Sequence, residues 1–188
     1  MNLFELKKIS IPDDVINDFY PNDYDKFDKY LEFFGFSIIG SGGYSKVYEH
    51  KKLDYVIKVF EYNDNYTNYI HFCKNASYIN TPKFRGNIMK SSKFPNIAAI
   101  RMEKLNRCTY EIFESFQKLI RTIYNLSHKE KERYSIYDQI VGRFSKGLIT
   151  PDLIELSIDI IVTFGRFDLH QDNIMLRNNS TIVIIDPI

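Results

Sequence analysis

The chain has 188 residues, 25 Lys and Arg against 24 Asp and Glu for a formal net charge of +1, and 44% hydrophobic residues with no Trp. That length accommodates one domain or two small lobes and excludes three independent cores. The near-zero charge gives no global electrostatic drive toward nucleic acid or an anionic membrane surface, so any phosphate binding must come from a built site.

The opening "MNLFELKKIS" has no signal-peptide apolar run, and no stretch reaches the roughly 18 apolar residues of a spanning helix, so the expected location is the cytoplasm. In chain order, "IPDDVINDFYP" and "NDYDKFDKYLEFFG" predict two short helices. The second places Phe27, Tyr30, Leu31 and Phe34 on one face and stops at Gly35. "FSIIGSGGYSKVYEH" and "DYVIKVFEY" then predict a strand, a Gly-rich turn and two further strands. "TNYIHFCKNASYI" predicts a short helix, and "PKFRGNIMK" and "NIAAIRMEKL", joined by "SSKFP", complete a sheet of about five strands.

After Leu105 the period becomes helical. "TYEIFESFQKLIRTIYNLS" puts Ile112, Phe113, Phe116, Leu119, Ile120 and Ile123 on one side, and "TPDLIELSIDIIVTFG" opens with Pro151 and closes on Gly165. The charged stretch between them, "HKEKERYSIYDQIVGRFSKG", is expected to be mostly solvated. Strands or tight loops around "DLHQDNIML" and "TIVIID" complete the chain. Cys73 and Cys108, in unrelated contexts, and the scattered His50, His71, His128 and His170 give no zinc spacing and point to a reducing compartment.

Three features carry chemistry. In "IGSGGYSKVY" a ligand can approach the backbone closely at Gly40, Gly42 and Gly43, although such a run also makes an ordinary hairpin turn. Lys58 lies inside the apolar strand "VIKVF", where it either snorkels from an edge or faces an anion. Asp168, Asn173 and Asp186 offer hard oxygen donors of the kind Mg²⁺ takes alongside substrate phosphates; the bland reading of any one of them is an Asx turn.

Taken together and in this order, Gly40-x-Gly42, Lys58 in Val-Ile-Lys, "IRMEKL", Asp168 with Asn173 five later, and Asp186 resemble the protein-kinase signature. More narrowly, "IIGSGGYSKVYEH", "YVIKVF", "FDLHQDNIM" and "IIDPI" resemble the early Ser/Thr protein kinase of T7-like bacteriophages. The resemblance implies an α+β, two-lobed fold: a helical cap over 1–35, an antiparallel sheet lobe over 36–105 and a reduced helical lobe over 106–188. It implies ATP and Mg²⁺ as cofactors and Ser/Thr hydroxyls of host proteins as acceptors, in the host cytoplasm, with no nucleic acid or membrane partner. Asp168 would orient the attacking hydroxyl, with His170 at a γ-phosphate position; Asn173 and Asp186 would hold Mg²⁺; Lys58 would meet the α- and β-phosphates.

Gly40, Ser41, Gly42, Gly43, Ser45 and Val47 would cover the nucleotide, and Met102, Glu103 and Leu105 would form the adenine-reading linker. The pattern departs from the kinase signature at Arg166 and Phe167, which replace the His and Arg of His-Arg-Asp, and at Asp186-Pro187-Ile188, which replaces Asp-Phe-Gly. Nor does a Glu in "TNYIHFCKNASYI" pair with Lys58, for which Glu61 and Asp64 are the nearest substitutes. With no segment following Asp186, Ile184, Pro187 and Ile188 are expected to be poorly covered and to serve a dimer or a docked target. Alternative readings are a small-molecule phosphotransferase and a pseudokinase that binds host proteins.

Overall fold

The structure is a computed structural model and describes residues 24–43, 45–62, 64–90, 97–127 and 133–188. The helix expected over "IPDDVINDFYP" and the "SSKFP" connection lie outside the described residues. Two compact units form: residues up to Thr67 with Lys83–Lys104, and Asn68–Pro82 with Leu105–Ile188.

The first unit is a five-stranded antiparallel sheet in the order β1-β2-β3-β5-β4, built from β1 (Phe36–Ser41), β2 (Ser45–His50), β3 (Tyr55–Glu61), β4 (Phe84–Lys90) and β5 (Ile97–Glu103). It is preceded by α1 (Tyr24–Phe33), and α2 (Asp64–Asn75) begins in this unit and ends in the other. Alternation along each strand sorts the side chains. Tyr48, Tyr55, Ile57, Val59, Ile97 and Ala99 join Leu31 of α1 and Phe36 in one core.

Helix α1 therefore belongs to this unit. Asp28 accepts hydrogen bonds from Lys46 Nζ at 2.6 Å and Tyr48 Oη at 2.8 Å, tying the helix to β2. The helix stops at Gly35, whose φ of +81° suits glycine and whose Cβ, if present, would lie 3.0 Å from His50 Nε2.

The second unit contains β6 (Asn106–Arg107), α3 (Tyr110–Ser127), α4 (Arg133–Phe144), α5 (Pro151–Phe164), a 3₁₀ turn (Gln171–Asn173), β7 (Ile174–Arg177) and β8 (Thr181–Ile184). The last two strands and β6 form a small antiparallel sheet in the order β6-β7-β8. Helix α5 is apolar on nearly every face and accordingly buried, from Leu153 to Ile161. Thr150 caps its start through Oγ1, which accepts from Leu153 N–H at 3.2 Å; Pro151 occupies the first turn, and Gly165, at φ 71°, closes it.

Two expectations are corrected here. The charged stretch after α3 is not simply solvated: from Arg133 it forms α4, with Ile136 and Ile140 buried one turn apart. That stripe is only two residues wide, which is why charge dominates the local pattern. Residues 68–82 pack with the helical unit rather than the sheet lobe. Asn80 explains this: its Nδ2 donates to Ile182 O at 2.7 Å and its carbonyl accepts from Ile184 N–H at 3.0 Å, while Tyr69 Oη donates to Ile184 O at 2.7 Å. Arg133 ties the same segment to the helices. It grips Asp159 through two nitrogens at 2.8 and 3.0 Å, reaches Glu155 at 2.9 Å, and donates to Tyr78 Oη at 3.2 Å.

Candidate active site

In the first unit, the strand register aligns the residues singled out from the sequence. Gly40 pairs with Val47, Val47 with Lys58, and Lys58 with Ile100, so one row crosses β1, β2, β3 and β5 on the face opposite the core. Lys58 is only 4% exposed, and its Nζ stands 4.0 Å from the centroid of the Tyr66 ring on α2. An aromatic ring on the helix meets the lysine, and the Asp64 side chain lies outside the described residues.

The turn between β1 and β2 is closed by Gly42 N–H donating to Ser45 O at 2.8 Å. Its glycines are not required by the fold. None of Gly40, Gly42 and Gly43 has a positive φ, a Cβ at Gly40 or Gly42 would make ordinary contact at 3.8–3.9 Å, and at Gly43 it would meet nothing within 4 Å. What their bareness provides is an open backbone edge, flanked by Ser41 and Ser45, that a phosphate can approach.

Met102 is buried at the end of β5. The Glu103 amide already donates to Lys83 O at 3.1 Å, and its carboxylate accepts from Lys83 N–H at 2.8 Å, so this residue's N–H is committed within the sheet. Leu105 lies in the second unit.

The second unit gathers the other expected residues through its backbone. Asp168 N–H donates to Pro187 O, and Ile185 N–H donates to Asn173 O at 2.8 Å. Asp186 sits between those two bonds and is thereby held against both Asp168 and Asn173, two residues beyond the end of β8. The Asn173 amide closes the group: Nδ2 donates to Asp168 O at 3.1 Å and to Asp168 Oδ2 at 3.0 Å. This fixes the amide flip and directs Oδ1, its only metal-binding atom, away from Asp168.

His170 Nε2 lies 3.7 Å from Asp168 Oδ1, with its side chain 77% exposed. Beneath the loop, Phe167 is buried with its ring centroid 5.8 Å from that of Phe116 on α3, and Gln171 Nε2 donates to Cys108 O at 3.1 Å. Burial pushes the Cys108 thiol up, so it packs under the loop rather than acting as a nucleophile.

Tyr66, Phe116, Asn80 and Gln171 were not legible as supports. Only Phe116 carried a signal, as part of the α3 stripe. The expected open apolar patch at the end of the chain also needs correction: Ile184 and Pro187 are buried and Ile188 is half-buried, and Tyr69 and Asn80 bond the Ile184 backbone at the end of β8.

Among the described residues no three His, Cys, Asp or Glu side chains come together to cage a metal. An Asn and an Asp oxygen on adjoining backbone still fit Mg²⁺, which takes one or two protein ligands together with phosphates and water.

An antiparallel sheet unit carrying a Gly-rich turn and a strand lysine, with a helical unit that brings Asp168, Asn173 and Asp186 onto adjoining backbone, has the makeup of a reduced protein-kinase-like fold. The family profile described as Bacteriophage T7 protein kinase 0.7 matches residues 19–188, and the chain belongs to that family. Among solved structures, the chain is similar to Rad53 1-466 in complex with AMP-PNP (18% identity, TM-score 0.41, 86% of this chain and 42% of that one). It is also similar to the streptomycin-ATP-APH(2")-IIa ternary complex (16% identity, TM-score 0.32, 87% of this chain and 68% of that one). The chain thus spans less than half the length of the first of these structures. No curated protein matches it. No helix among the described residues is long and apolar enough to cross a membrane.

Proposed function

We propose that this protein transfers the γ-phosphoryl group of ATP to Ser or Thr hydroxyls of host-cell proteins, in the host cytoplasm. The observation that supports this most is the bracketing of Asp186 by the backbones of Asp168 and Asn173, closed by the Asn173 amide on the Asp168 carboxylate. Asp168 orients the acceptor hydroxyl and receives its proton as the new O–Pγ bond forms and the bond from Pγ to the β-phosphate oxygen breaks, releasing ADP. Asn173 Oδ1 and the Asp186 carboxylate hold Mg²⁺, which neutralises charge on the phosphates. Lys58 meets the α- and β-phosphates, the backbone of Gly40–Ser45 covers them, and His170 reaches toward the γ-phosphate. Most of the catalytic effect is positioning and charge neutralisation, which a small set of groups can supply.

The test is transfer of labelled phosphate from ATP, with and without Mg²⁺, into a bacterial lysate and into a panel of small hydroxylated molecules, followed by phosphoamino-acid analysis. Label on Ser and Thr of proteins, lost in Asp168→Asn, is expected. Label confined to small molecules would make the chain a small-molecule phosphotransferase. ATP binding without transfer would make it a pseudokinase.

A further inference from the structure

Lys58 is almost wholly buried, and the helix that follows its strand, "DNYTNYIHFCKN", carries no glutamate. Helix α2 brings an aromatic face to the lysine: the ammonium nitrogen lies 4.0 Å from the Tyr66 centroid, well inside the roughly 6 Å over which a ring quadrupole attracts a cation. The ring cannot easily turn away. It is 4% exposed and stands edge-on to Phe60 at 4.9 Å and 75°. Phe60 and Lys58 are two apart on β3 and so share a face, which lets one strand supply both the cation and the aromatic brace of the ring beneath it.

We propose that Tyr66 is a positioning residue for Lys58, its ring face holding the ammonium in place to receive the α- and β-phosphates. The inference rests on the nucleotide reading above. The ring attracts the cation through its quadrupole and adds no net charge beside the incoming phosphates. Phosphate affinity should then follow the electron density of the ring at position 66 and be indifferent to its hydroxyl.

The experiment is calorimetric titration of the full chain with ADP and, separately, with adenosine, for Lys58→Ala, Tyr66→Phe and Tyr66→Leu. Tyr66→Phe is expected to bind ADP within about twofold of the parent, and Tyr66→Leu about tenfold more weakly, with adenosine binding unchanged in both. Should Tyr66→Leu fail to fold, phenylalanines of increasing fluorination at position 66 keep the volume while draining the ring face, and ADP affinity should fall step by step along the series. Equal losses for ADP and adenosine, or ADP affinity that ignores fluorination, would overturn the positioning role. Full ADP affinity in Tyr66→Leu alongside weakened binding in Lys58→Ala would overturn it too. Unchanged ADP binding in Lys58→Ala would instead remove the nucleotide reading on which it stands.

Discussion

Asn173→Asp separates two roles that the Asn173 amide combines. Nδ2 lies 3.0 Å from Asp168 Oδ2, so the substitution replaces a donor with a second carboxylate oxygen at the same spot. At 3.0 Å two like charges repel by about 1.4 kcal/mol in a water-like dielectric and about 5.5 kcal/mol at an effective constant near 20. The Asp168 side chain is 54% exposed, which places the cost toward the lower end, about 2 kcal/mol. Loss of the two donated bonds, to Asp168 O and Oδ2, adds about 1 kcal/mol each. Relief comes only if the Asp168 carboxylate swings away from where a hydroxyl must meet it. Since about 1.4 kcal/mol is a factor of ten, kcat should fall roughly a hundred- to a thousandfold. Asn173→Ala, which loses the donor but adds no repulsion, should retain more activity than Asn173→Asp. The assay is steady-state phosphoryl transfer at saturating ATP across a Mg²⁺ series. Were Asn173 a metal ligand alone, the order would reverse, since aspartate keeps an oxygen donor and alanine does not; Asn173→Asp outperforming Asn173→Ala would refute the orienting role.

Asp168→Asn should abolish transfer while ATP affinity, measured by calorimetry, stays within about threefold, because the phosphates are assigned to other groups. Asp186→Ala should remove the Mg²⁺ dependence of ATP binding together with activity; an ATP affinity that keeps its full Mg²⁺ response would contradict the ligand assignment. Burial, then the nearby Lys52 and Lys104, lowers the His50 pKa, and its Nδ1 accepts from Lys52 N–H at 3.1 Å, a bond that protonation breaks. A depressed histidine contributes stability above its unfolded value of about 6.5 that is lost as pH falls below it, so the urea midpoint should drop between pH 7.5 and 5 more steeply in the parent than in His50→Asn. Arg133→Met should cost about 1.5–3 kcal/mol in urea denaturation, because it leaves Asp159 and Glu155 without their shared cation.

The elements were legible where a short-range rule decides them. Thr150, Pro151 and Gly165 mark both ends of α5, and Lys58, the lone interruption of the apolar run "YVIKVF", marks the β3 face turned away from the core. Helix α4 escaped because Ile136 and Ile140 are a two-residue stripe in a charged background, and β6 because two residues carry no period. For the site, Lys58 stood out as a lysine inside an apolar strand and Asp168, Asn173 and Asp186 as hard oxygen donors, while the resemblance to the protein-kinase signature supplied their roles. Their supports were hidden for a common reason: Asn80 meets β8 across 102 residues of sequence, and Tyr66 meets Lys58 from a separate element, so no local pattern links either pair. The grouping of residues 68–82 with the second unit depends on long-range bonds that a linear reading cannot supply.

The row Gly40–Val47–Lys58–Ile100 has a consequence for how the sheet assembles. Side chains alternate between faces, so sliding β3 by one residue against β2 and β5 would turn Lys58 into the space occupied by Leu31, Tyr48 and Ala99. An ammonium group stranded among those side chains costs several kcal/mol, far more than a misplaced Ile or Val in the same strand. From Tyr55 to Phe60 the strand is otherwise apolar on both faces and would pair almost as well out of step. Its one buried charge therefore works as an error-detecting digit, and a chain that pairs with the lysine on the wrong side is the one least able to persist.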